Sequence, residues 1–174
     1  QFQGGFIWDF KDQNLRVGGQ LLTGSDGRWP TDGPFCANGL LFADRTPSPK
    51  LPEVKFLYSP LRIRFEADEI LVENRNLFTD TSSLRFFWSL LRDGLPVKSG
   101  SFCLNAEPGR RRALPLPAEA RTLPKDSAEW VFSCSARTAR RTAWAPAGHE
   151  IVFGQTVLRA AAPFAAPPAV PIVC

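Results

Sequence analysis

Between residues 61 and 158 apolar and polar positions alternate with a period of two. Leu61, Ile63 and Phe65 are separated by Arg62, Arg64 and Glu66; the alternation breaks at Ala67-Asp68-Glu69 and resumes as Ile70-Leu71-Val72. This predicts a β-hairpin with one face buried. Further strand-like runs follow at 84–94, 97–105, 111–117, 129–137 and 150–158, with Asp93-Gly94 as a turn signal between the first two of these. No helical periodicity of useful length competes. Short strands at such spacing are the pattern of a sandwich, and residues 52–159 are predicted to form seven or eight antiparallel strands, with Trp88 and Trp130 among the core aromatics.

The flanks follow other rules. The stretch GGFIWDF at 4–10 is apolar on both faces and predicts a fully buried strand. Residues 11–52 are punctuated by VGG, TGSDGRWPTDGPF and RTPSPKLPE, a long irregular segment of the kind that lines a site or wraps a neighbour. The last fifteen residues, AAAPFAAPPAVPIVC, hold four prolines. They cannot continue a sheet interior, so residues 160–174 are predicted to be a linker or a frayed end.

Composition narrows the classes. With 174 residues, 44% hydrophobic and 22% charged, the chain can build one full domain and part of another. Its formal charge of +4 is mild. The excess gathers at Arg110-Arg111-Arg112 and at Arg137, Arg140 and Arg141, without the interleaved aromatics a nucleic-acid platform needs. Cys36, Cys103, Cys134 and Cys174 lie far apart and form no cluster with the lone His149, which suggests neither zinc nor a disulfide framework. Cys103 and Cys134 fall in apolar runs and are expected to be reduced core thiols of a cytoplasmic protein. No run approaches the ~20 apolar residues of a membrane helix, and no membrane partner is expected. Methionine is absent, which predicts a piece cut from a longer product.

A family resemblance rests on GGFIWDFKDQ, PFCANGLLFADRTPSPKLPEVK, NLFTD, LPVKSG and TAWAPAGHE, which occur in that order. In one register from about Gln3 to about Leu158 the chain resembles the lactose-operon-type β-galactosidases of glycoside hydrolase family 2. The resemblance implies a mainly β fold, an immunoglobulin-like antiparallel β-sandwich preceded by the last strand and loop of a (β/α)8 barrel. Residues 1–51 would be the end of the catalytic barrel and its connecting loop, 52–159 the sandwich, and 160–174 the tail. The run LLTGSDGRW departs from the family pattern and leaves the loop after the barrel strand open.

The resemblance also assigns site residues. From the residues alone Trp8 reads as a core aromatic like Phe6 and Phe10; the matching family tryptophan instead forms part of a shallow galactose site, where an exposed indole gives a sugar face its platform. Asn38-Gly39 by itself reads as a turn. In the family the corresponding loop gives a backbone carbonyl, here of Phe35, and a side-chain amide, here of Asn38, to a sodium ion touching the substrate's 6-hydroxyl, a cation suited to hard oxygen ligands. Asp9 and Asp12 lie three apart on one extended segment, so they point to opposite faces. They are expected to bind backbone or arginines rather than act as a catalytic pair.

Retaining hydrolysis needs two carboxyls about 5 to 5.5 Å apart. The family's two glutamates and its magnesium ligands lie upstream of residue 1, so no catalytic residue is assigned in this chain. The isolated chain is expected to be inactive, although the complete enzyme would hydrolyse terminal β-galactosides such as lactose. Its partners would be the galactoside and the rest of the β-galactosidase chain, within a homo-oligomer. The competing reading is a non-catalytic carbohydrate-binding or structural sandwich. It calls for a row of exposed aromatics on one sheet face, whereas the consecutive Phe86, Phe87 and Trp88 cannot all face one side.

Overall fold

A computed structural model describes residues 4–22 and 37–162. The chain divides into two units, Gln1–Tyr58 and Ser59–Cys174.

The second unit is mainly antiparallel β. Numbering strands and helices along the whole chain, it contains β3 (Leu61–Glu66), β4 (Glu69–Asn74), β5 (Leu84–Arg92), β6 (Leu95–Phe102), β7 (Arg111–Pro115), the short helix α2 (Ala118–Arg121), β8 (Trp130–Thr138) and β9 (Glu150–Arg159). One sheet has the order β3-β4-β7 and the other β6-β5-β8-β9. This is a seven-stranded immunoglobulin-like sandwich, and its strand ends fall close to those the alternation predicts. The β5–β6 hairpin turns at Asp93 and Gly94 with φ of 49° and 78°, the left-handed pair that matches the twist of the flanking strands.

The alternation places Leu61, Ile63, Ile70 and Val72 of the small sheet against Phe86, Leu90, Phe132 and Cys134 of the large one. Phe132 sits at the centre, stacked on Trp88 at 5.7 Å and met edge-on by Phe65, an arrangement that adds to plain area burial. Trp130 is buried and Trp88 packs half-buried against the core. A side chain at Gly154 would stand 2.6 Å from the carbonyl oxygen of Ile63. Only glycine therefore lets β9 close on β3 across the two sheets.

Two polar devices hold the edges. Buried Asn74 donates to the carbonyls of Thr79 and Ala106 at 2.8 and 2.9 Å and accepts from the Asn76 amide, while Thr81 Oγ1 donates to Leu104 and accepts from Ala106. Asp126 accepts from the Trp130 indole at 2.9 Å, from Arg92 at 3.0 Å and from Arg159. The Trp130 hydrogen bond first, with Arg92, the Ala128 amide and Arg159, holds the Asp126 carboxyl below its ordinary pKa.

The cysteines divide. Cys134 is buried and its thiol is pushed up to about 12 by desolvation. Cys103 is exposed, which corrects its expected place in the core: its neighbours Phe102 and Leu104 pack against the core, so the alternation turns Cys103 outward. Cys36 and Cys174 lie outside the described residues.

The first unit contains β1 (Leu15–Val17) and β2 (Gln20–Leu22), an antiparallel hairpin, and α1 (Leu51–Tyr58). Helix α1 was not announced by periodicity, because it is eight residues long and buries none of them. Pro52 suits its first turn. No described helix is long and apolar enough to cross a membrane. The expected strand at 4–10 is absent: residues 4–10 have no strand assignment, and Phe6 and Phe10 are exposed rather than core. A strand apolar on both faces needs neighbours on both edges to pair its backbone, and among the described residues this segment gains a partner only at its end.

Candidate functional site

That partner is the segment around Asn38. The amide of Leu40 donates to the carbonyl of Asp9 at 3.1 Å, Leu41 to Phe10 at 2.9 Å, and Asp12 to Leu41 at 2.9 Å. A parallel bridge links Lys11 and Leu41. The two segments approach unusually closely: a Cβ on Gly39 would lie 2.3 Å from the Asp12 nitrogen. Gly39 is thus required for contact between the two segments rather than for the turn the Asn-Gly pair suggests.

The acids serve this junction. Asp12 is buried and accepts the Gly39 amide at 2.7 Å through Oδ1, while Asp9 accepts from the side chain of Gln13. Asp12 thus binds backbone, as expected, while Asp9 binds a side-chain amide rather than backbone or an arginine. Among the described residues no three His, Cys, Asp or Glu side chains come together.

Asn38 sits directly before this clamp. Its Oδ1 is buried and has no hydrogen-bond partner among the described residues, although a buried amide oxygen left unpaired costs about 1–3 kcal/mol. Phe35, the other expected ligand, lies outside the described residues. Ser48 Oγ is likewise buried and unpaired; no sequence signal marked it.

Trp8 is 72% exposed, so it is not the core aromatic that its apolar neighbourhood suggests. Beside it, Phe6, Ile7 and Phe10 join Leu40, Val54 and Tyr58 around an apolar groove of about 350 Å³. This groove is internal to the first unit. Sequence reasoning missed it, because it depends on α1 and on the pairing of Phe10 with Leu41.

The comparisons with known proteins agree with the division into units. Residues 70–159 match the family model of β-galactosidase domain 4, and residues 1–63 match that of the TIM barrel domain of glycosyl hydrolases family 2. A β-galactosidase of Lactobacillus delbrueckii subsp. bulgaricus is 42% identical over 160 residues, 90% of this chain and 16% of that protein. A β-galactosidase of Streptococcus thermophilus is 37% identical over 165 residues, covering 91% of this chain and 16% of the relative. One from Vibrio vulnificus is 35% identical over 178 residues, 96% and 17% respectively. The chain spans about 16–17% of the length of these relatives.

Proposed function

The chain belongs to the β-galactosidase domain 4 family of glycoside hydrolase family 2 proteins, and from that premise we propose that it is a portion of a retaining β-galactosidase. Residues 1–51 would form the end of the catalytic barrel and its connecting loop, residues 52–159 the spacer sandwich, and 160–174 a linker. The relatives carry the name β-galactosidase, which supports terminal β-galactosides such as lactose as the substrate class.

The observation that carries this reading is the buried, unpartnered Oδ1 of Asn38 beside the Asp12–Gly39 clamp. An uncharged hard oxygen suits an alkali cation, so Asn38, with the carbonyl of Phe35, is the chain's share of a sodium site. Sodium, when bound, supplies a fixed positive charge for the galactose 6-hydroxyl. The clamp holds Asn38 in place: Asp12 accepts the amide of the following residue, and Gly39 admits the close backbone contact. Trp8 presents its indole to the apolar face of the sugar, excluding water on that side.

Glycosidic cleavage itself requires a carboxyl pair. Asp12 is engaged by the Gly39 amide and Asp9 by Gln13, and by the family resemblance the carboxyl pair and the magnesium ligands would come from the rest of the enzyme. The chain alone is expected to leave a chromogenic galactoside intact. The free thiols of Cys103 and Cys134 support a reducing compartment such as the cytoplasm, and the complete enzyme would act as a homo-oligomer.

Sodium titration of the complete enzyme tests the assignment. Trp8→Ala should weaken galactoside binding by about 1–3 kcal/mol with the sodium midpoint retained. Asn38→Ala should make activity less responsive to sodium. If both variants lose activity with unchanged sodium dependence, Asn38 is not a ligand.

A further inference from the structure

The outer face of the large sheet, within the second unit, has a composition that the packing of the sandwich does not explain. Across β5, β8 and β9 the register sets Phe87 opposite Ser135 and Ser135 opposite Phe153; in the next row Ser89 faces Ser133 and Ser133 faces Gln155. The central strand thus carries two serines outward where β-branched or aromatic residues are usual. Small side chains in the middle and phenylalanines on both flanking strands make a trough of about 360 Å³. Phe87 and Phe153 are 39% and 46% exposed, and two strand spacings, about 9.6 Å, separate their strands.

The floor of the trough is little used by the fold. Ser89, Ser133 and Gln155 have no side-chain hydrogen bond among the described residues, and Ser135 Oγ accepts from Arg137 Nε at 3.1 Å with its own hydroxyl hydrogen left to donate. At one end Arg137 and Glu150 pair at 3.8 Å, and the Arg137 guanidinium lies 5.4 Å over the Phe87 ring, which pins that wall. The ion pair cancels its own charge. The lining of the trough therefore offers apolar walls and a floor of hydroxyl and amide groups, with its one ion pair at the end; Arg85, opposite Arg137 in the row beyond, is turned to Ser101 at 3.1 Å.

We propose that this trough is a saccharide-binding site that takes a neutral pyranose, with the apolar ring faces against Phe87 and Phe153 and the hydroxyls on Ser89, Ser133 and Gln155. The single-strand reading that Phe86, Phe87 and Trp88 cannot share a face is correct. The aromatic row instead runs across strands, which only the register discloses. The site is shallow, so its affinity is millimolar, the range of a few net hydrogen bonds and two ring contacts. It lies wholly within the sandwich and does not depend on the sodium or Trp8 assignments.

Titration of the full chain with lactose, followed by amide chemical shifts, tests the proposal. Saturable shifts at Ser133, Ser135 and Phe153 are expected, retained in Trp8→Ala. Phe153→Ala should weaken the apparent affinity about five- to tenfold, and Ser133→Val, which fills the floor without hydroxyls, should abolish saturation while core shifts stay native. Absence of shifts at these residues up to about 100 mM, shifts confined to the neighbourhood of Trp8, or shifts that follow protein concentration instead of lactose would each overturn the proposal. The last would assign the face to contact between copies of the chain.

Discussion

Two apolar stretches, one in each unit, treat their aromatic residues in opposite ways. In the sandwich Phe86 and Phe132 are fully buried, whereas in the first unit Phe6, Trp8 and Phe10 are 103%, 72% and 66% exposed. Their hydrophobicity is the same. The difference is pairing: β5 and β8 have neighbours on both edges, and among the described residues the segment at 4–10 meets a partner only from Asp9 onward. An apolar run becomes core only when its backbone has somewhere to go.

The largest contrast should appear on truncating one aromatic from each unit. Phe132→Ala removes the ring on which Trp88 and Phe65 pack and should cost about 3–5 kcal/mol in denaturant unfolding. Phe10→Ala should change the same transition by less than about 0.5 kcal/mol. Equal effects would erase the distinction between the units.

A smaller effect should come from the buried amide. Asn74→Leu strands the carbonyls of Thr79 and Ala106 and the amide of Asn76, and a loss of about 1–3 kcal/mol should follow, read in the same unfolding curve. No loss would mean that the loop finds other partners.

Smallest is the acid response. Asp126 titrates lower in the folded chain than in the unfolded one, so its stabilising contribution is complete above the unfolded value and is lost as pH falls through the folded one, below about pH 4. Asp126→Asn should flatten stability against pH in that window. Unfolding midpoints at pH 3 and pH 6 would decide it, and an unchanged slope would remove Asp126 from the account.

The sandwich was legible because each strand carries its own evidence. Leu61, Ile63 and Phe65 name a face, and Asp93-Gly94 names a turn. Helix α1 was not, since it buries no residue and so leaves no apolar stripe. At 4–10 the pattern itself misled: GGFIWDF states what the segment would bury with neighbours on both edges. Asn38-Gly39 looks like a turn because one residue's conformational freedom is visible in sequence, whereas a backbone approach to Asp12 too close for any Cβ is not. Phe153 was readable as outward-facing on its strand, but its alignment with Ser135 and Phe87 required the register.

Hydrogen exchange on the intact, monomeric chain tests the contrast most directly. Amides of Phe132, Cys134 and Ala136 in the centre of β8 should be protected about a thousandfold or more, with global opening as their route to exchange, while amides of residues 5–8 should exchange at nearly unstructured rates. Strong protection of residues 5–8, at the level of β8, would contradict the account.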